Sequence, residues 1–408
     1  MRGLSNISNL YTGKAVDDSA PVRTAEQVRN ATVIWKDQTI QWVGQHRELP
    51  KKYEHVDLLD AKGLIVTPGF IDAHTHLCFG GWRAEEFEQK LRGDSYLEIA
   101  QRGGGIASTV TDTRKASQET LKDRGQQFLN SMIKLGITTV EAKSGYGLTT
   151  YDEIKTLKAY KELNLNPGNE IIPTFLGAHI IPPEFKNNPD DYVDLLIEEM
   201  LPKVKEQNLA RFVDIFVEES AFNHDQARRI MVKAKELGFG LKFHVDQLHD
   251  GNGAKLAAEL GAVSADHLEY ISDEGILAMK DKNVVPVSLP LASIYLNQPA
   301  LPARKILKNG LPLALATDFN PGSAPSFNIQ HAMWLGCVFQ RMTPHEVLLG
   351  VTDYAARAIG QDHIGTIEHG KQADLLCLNL ESMADWMYHY HKNPVEVVFK
   401  KGGLAWEK

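Results

Sequence analysis

The stretch Phe70-Ile71-Asp72-Ala73-His74-Thr75-His76 offers two imidazoles two residues apart. On a strand, successive side chains point to opposite faces, so His74 and His76 share a face roughly 7 Å apart and can converge on one ion. Spacing alone is a weak signal, because 15 His in 408 residues produce such pairs by chance, and His389-Tyr390-His391 repeats the pattern. Context separates them. The first pair ends an apolar run, Leu64-Ile65-Val66-Thr67-Pro68-Gly69-Phe70-Ile71, which reads as a buried strand, whereas the second lies among Tyr, Met and Lys and reads as ordinary histidines.

The elements that must position these groups follow from periodicity. After the strand ending at His76, apolar β-branched runs at 137–141, 171–176, 212–217, 240–244, 262–267, 284–289 and 313–318 alternate with longer amphipathic stretches. Eight such strands with helical crossovers predict a (β/α)8 TIM barrel in the α/β class. Helix signals fall between them: Asn223 caps a helix from His224 to a stop at Gly238, and Thr343-Pro344-His345-Glu346 carries a capping box. Reactive groups in this architecture sit at the C-terminal strand ends. His74 and His76 on the first strand, His244 on the fifth and Asp318 on the eighth all lie there. Three imidazoles and a carboxylate suit Zn²⁺, and Fe with the same ligands. His179 and His267 occupy equivalent ends of the third and sixth strands.

Outside the barrel, residues 31–35 and 39–44 read as a hairpin, and 373–378 and 395–402 as further strands. Residues 1–67 and 364–408 are therefore expected to build one small β-sandwich domain, with 68–363 as the catalytic barrel between its halves. A net charge of −8 with scattered Lys and Arg argues against nucleic acid or an anionic membrane as partner. The three cysteines, Cys78, Cys337 and Cys377, form no paired framework, and Cys78 reads as a buried thiol. No signal core or 18-residue apolar run occurs, so a cytoplasmic location is expected.

On these residues the chain resembles the amidohydrolase superfamily. The resemblance rests on Pro68 to His76, His244, His267 and Asp318, the C-terminal run Ile364 to Leu375, and four further marks. Those marks are Glu141-Ala142-Lys143-Ser144-Gly145-Tyr146-Gly147-Leu148, Phe175-Leu176-Gly177-Ala178-His179, Ser264-Ala265-Asp266-His267-Leu268-Glu269 and Ala316-Thr317-Asp318-Phe319-Asn320-Pro321-Gly322-Ser323. The resemblance implies hydrolysis of 4-imidazolone-5-propanoate to N-formimidoyl-L-glutamate in histidine breakdown, one Zn or Fe ion, and a homodimer. By position it implies Arg83, Tyr146, His179, Gln247, Asn320, Gly322 and Ser323 as substrate contacts. A guanidinium fork suits a propionate carboxylate. Asp318 is the expected proton acceptor and donor, with His267 orienting the water and His179 helping to stabilise the oxyanion.

Two departures stand out. Gln247 replaces the Glu found in many relatives and, as an amide, can recognise substrate but not act as a base. The loop Leu289-Pro290-Leu291-Ala292-Ser293 differs from the Pro-Gly type expected after the seventh strand. Lys143 belongs to the second strand, not the fourth, where a metal-bridging lysine would stand; the fourth ends in Glu218-Glu219, so one metal is expected. The run Arg102-Gly103-Gly104-Gly105-Ile106 lacks the Lys-Ser/Thr of a phosphate loop and is expected to form a flexible lid. Competing readings are another amidohydrolase, such as a cyclic-amide hydrolase or nucleobase deaminase, and a catalytically silent scaffold.

Overall fold

The structure, a computed structural model, describes residues 1–93, 104–166 and 168–408. The apolar, β-branched runs form strands β1 (Phe70–Thr75), β2 (Ile137–Lys143), β3 (Glu170–Ala178), β4 (Phe212–Val217), β5 (Gly240–Val245), β6 (Ser264–His267), β7 (Val285–Ser288) and β8 (Ala314–Leu315). Each pairs in parallel with the next, from β1 to β8. The ring closes where Thr75 bridges Phe319, with His76 N donating to Phe319 O at 2.8 Å and Asp318 N to His74 O at 3.1 Å. Strand residues such as Ile71, Val140, Val213 and Phe243 share one buried apolar cluster with helix residues Leu157, Ile230 and Leu348. The helices begin where local chemistry favours it. Asn223 and Gln226 form a capping box on helix His224–Glu236, and Thr343 and Glu346 another on helix Pro344–Gly350.

Two strands stop earlier or start later than their apolar runs do. Asp318 has φ 55° and His267 φ 79°, left-handed backbone uncommon for either residue type, so regular pairing ends at or before them. At β8, Thr317 spends its amide and hydroxyl on Asp72 of β1, at 3.1 and 2.6 Å. The barrel interior beneath its mouth also departs from the usual filling of branched aliphatics. Glu141, Lys143, Asp214, Lys242 and Asp266 are all buried there.

A second sheet joins the two ends of the chain. Arg2–Ala15 pairs antiparallel with Ala25–Lys36 and parallel with Leu58–Asp60 and Ile65–Pro68. Ala25–Lys36 makes a hairpin with Thr39–Gln45, turning through Asp37 at φ 54°. On the other side, Ile65–Pro68 pairs with Leu375–Leu378, followed by Val395–Lys400 and Gly403–Glu407. The expected sandwich is made by one sheet curling on itself. Trp35 and Phe399 lie on strands separated by three others in the sheet order, yet their rings sit 5.7 Å apart and Trp35 Nε1 donates to Gly402 O at 3.1 Å. Leu4, Val33, Val66 and Leu375 fill the enclosed core with them.

The sheet is pinned to the barrel by polar contacts. Gly69 N donates to Asp374 O at 3.0 Å, and Lys400 Nζ reaches Thr139 Oγ1 at 3.1 Å, Asp374 at 2.8 Å and Glu170 at 3.2 Å. Among the described residues, no helix is long and apolar enough to cross a membrane. Of the glycine run expected as a lid, Arg102 and Gly103 fall outside the described residues. Its described end, Gly105, takes φ 75° and caps the helix Ile106–Lys115.

Candidate active site and metal centre

Alternation along β1 and β5 turns His74, His76 and His244 inward at the barrel mouth. One nitrogen of each lies within 4.8 Å of the others, and His74 also groups in this way with His267 and Asp318. Asp318 Oδ1 stands 3.4 Å from His74 Nε2 and 3.5 Å from His76 Nε2. The outer nitrogens are held by carboxylates: His74 Nδ1 donates to Asp266 Oδ2 at 2.6 Å, and His244 Nδ1 to Asp214 Oδ1 at 3.0 Å. A carboxylate on Nδ1 fixes the tautomer and aims the Nε2 lone pair at the centre. Both Nε2 atoms are buried without a hydrogen-bond partner among the described residues, as donor atoms awaiting a cation would be. The residues present therefore fit a divalent ion, with both groups sharing His74 in one centre.

Electrostatics agree with neutral imidazoles at His74 and His76. Burial first, then Lys143 and the neighbouring imidazoles, push His74 well below the ordinary histidine range; burial, then His244, does the same to His76. Burial would raise the Asp214 carboxyl, yet His244 and Lys143 outweigh it and hold it ionised. Burial drives His267 down to about 3 and Glu269 up to about 7. Those two face each other across 3.9 Å, and Ser293, from the departing seventh loop, donates to Glu269 at 2.5 Å.

The tautomer of His179 is set by a backbone contact. Its Nδ1 faces Gly145 O at 2.9 Å, and a carbonyl only accepts, so the proton sits on Nδ1. Burial, then His76 and His244, keep the ring neutral. Its Nε2 consequently presents a lone pair, which cannot donate to an oxyanion.

A cavity of about 770 Å³ opens over this centre, and its walls include Arg83, Tyr146, His179, Gln247, His267, Asp318, Asn320, Gly322 and Ser323. Phe216, Lys186 and Ser220 also line it, and the sequence pattern did not single them out. The Asn320 side chain is occupied by its own turn: Oδ1 accepts from Gly322 N at 2.7 Å and Ser323 N at 2.8 Å, while Nδ2 donates to Asp318 O at 2.6 Å. Arg83 packs its Nη2 end against Gly322, where a Cβ would overlap it, and its Nε is buried without a partner among the described residues. Gln247 is fixed through its backbone, by Glu218 on its N at 2.9 Å and Gln298 on its O at 2.9 Å.

The bland readings hold elsewhere. Cys78 donates to Leu121 O at 3.3 Å, with its thiol pushed up to about 12 by burial. His389 is paired with Asp385 at 3.0 Å on the surface. Lys143 is ion-paired with Glu141 and Asp214 at 2.8 and 2.6 Å. Its layer of buried charges went unread in the sequence. Strand alternation from His74 to Asp72, and from Lys143 to Glu141, was the available signal.

The model of the Amidohydrolase family matches residues 65–405. An imidazolonepropionase from Caldanaerobacter subterraneus is 45% identical over 401 residues, covering 98% of this chain and 96% of the relative. One from Fusobacterium nucleatum is 45% identical over 410 residues, covering 99% and 98%. Among solved structures, a zinc-bound atrazine chlorohydrolase from Arthrobacter aurescens superposes with TM-score 0.72 at 16% identity, covering 100% of this chain and 95% of the other. The 5-methylcytosine deaminase of Klebsiella pneumoniae gives TM-score 0.74 at 15% identity, covering 100% and 97%. At such identities the structural likeness speaks to the fold alone, whereas the family match and the full-length relatives speak to descent: the chain belongs to the amidohydrolase family, beside its imidazolonepropionases.

Proposed function

We propose that the chain hydrolyses 4-imidazolone-5-propanoate to N-formimidoyl-L-glutamate, a step of histidine degradation. The 45%-identical relatives named imidazolonepropionase support the substrate. On the chain's own residues, the reading is carried by Asp318 Oδ1 meeting His74 and His76 Nε2 at 3.4 and 3.5 Å in a cavity that Arg83 also lines.

In this reading His74, His76, His244 and Asp318 hold a single Zn or Fe ion. When bound, that ion supplies Lewis acidity toward the attacking water and the ring carbonyl. Asp318 takes the water's proton and returns it to the departing ring nitrogen as the ring C–N bond breaks and the hydroxyl oxygen stays on carbon. His267, neutral and facing the same centre, orients the water. The lone pair of His179 Nε2 receives a substrate N–H in place of the oxyanion contact expected from its position.

Arg83 pairs with the propionate as a planar fork, Tyr146 contributes its hydroxyl, and Gln247 hydrogen-bonds the substrate through its amide. Asn320 holds the turn, and Gly322 leaves room for the guanidinium. Residues 68–363 carry all of these groups and form the catalytic unit, with 1–67 and 364–408 as the composite β unit. Purified metal-loaded protein is expected to bleach the ultraviolet absorbance of imidazolonepropionate. Chelation or His244→Ala should abolish that loss; activity surviving both removes the mechanism, and no turnover by loaded protein removes the substrate.

A further inference from the structure

Lys143 ends β2 inside the barrel, with no part of its side chain exposed. An ammonium so placed must be compensated, and its three partners are unequal in what they do. Nζ lies 2.8 Å from Glu141 Oε1, 2.6 Å from Asp214 Oδ2 and 3.8 Å from Asp266 Oδ2. Asp214 is the acceptor for His244 Nδ1, and Asp266 the acceptor for His74 Nδ1. The two carboxylates come from β4 and β6, and the imidazoles they aim come from β5 and β1. Of the described Lys and Arg side chains, Lys143 alone is within ion-pair distance of both carboxylates; Lys242 reaches only Asp266, at 3.8 Å.

Two adjacent anions in a buried layer repel each other, and each could swing its histidine away from the common point. A cation between them replaces that repulsion with a shared anchor. Glu141, the remaining partner, accepts from Thr174 and, among the described residues, is hydrogen-bonded to no histidine, so it balances charge without aiming a ligand.

We propose that Lys143 is a positioning residue for the metal centre: one ammonium fixes Asp214 and Asp266 together and thereby sets His244 and His74 on the same ion. The inference rests on the metal reading above. It distributes the support of the site over five strands, so that loss of the ammonium loosens two ligands at once.

The test uses the full chain stripped of metal and titrated with Zn²⁺ against a chromophoric chelator, together with the visible spectrum of the Co²⁺-loaded form. Lys143→Met leaves unbalanced buried carboxylates and can fail to fold, so the deciding variant is K143M/E141Q, which removes one charge of each sign. E141Q alone is the control. The double variant is expected to bind Zn²⁺ about 10- to 100-fold more weakly than the control, with an altered Co²⁺ band, while E141Q stays within about threefold of the unaltered protein. Equal affinities and spectra for K143M/E141Q and E141Q overturn the proposal, even if both unfold at lower temperature. Unaltered protein that binds no Zn²⁺ removes the metal reading and this inference with it; binding by that protein alongside an unimpaired double variant removes only the inference.

Discussion

At the scale of single residues, the site separates groups that hold the metal from groups that serve the substrate. His267 is outside the proposed ligand set, so His267→Asn is expected to lower kcat by about 100-fold while metal content, read by atomic emission, stays at the level of the unaltered protein. Loss of metal in that variant would instead make His267 a ligand. Gly322 acts by lacking a Cβ where Arg83 Nη2 lies. Gly322→Ala should displace the guanidinium and raise KM for the propionate substrate by about tenfold or more, with kcat largely kept. Steady-state kinetics decide this, and an unchanged KM would detach Arg83 from the carboxylate. The ligands were readable in the sequence because each sits at a strand end whose apolar run announces it. The tautomer of His179 was not, since it depends on a carbonyl at Gly145, 34 residues away.

At the scale of elements, the closing seam between β8 and β1 is built from side chains as well as backbone. Thr317 donates twice to the buried Asp72, whose carboxyl burial raises to about 7 despite those bonds. Thr317→Val removes the hydroxyl and should cost about 1–3 kcal/mol of stability in urea unfolding, because a buried acceptor loses its partner. A change within 0.5 kcal/mol would show the seam to be held elsewhere. Capping boxes at Asn223 and Thr343 were legible because donor and acceptor are three residues apart. The short β8 was not, because the run at 313–318 carries no Gly or Pro to mark a stop and only the backbone at Asp318 reveals the turn. The pairing of Lys143 was not legible either: its partners Asp214 and Asp266 are distant in sequence, and nothing local marks the contact.

For the whole molecule, the barrel and the terminal sheet meet through charges as well as backbone. Glu170 at the start of β3 lies 3.2 Å from Lys400 and 3.4 Å from Lys401. Burial would raise its carboxyl, but the two ammonium groups outweigh that and hold it below the ordinary range. A carboxylate depressed on folding stabilises above its unfolded pKa and loses that contribution as pH falls through the folded value. The Tm deficit of Glu170→Gln should therefore be full near neutrality and close as pH drops below about 4. A deficit independent of pH would point to packing instead.

The order of the second sheet also constrains how the chain is made. Ile65–Pro68 has Arg2–Ala15 on one side and Leu375–Leu378 on the other. During synthesis its second edge stays bare while some three hundred residues emerge, so the nascent chain carries an unpaired β edge that only the final strands extinguish.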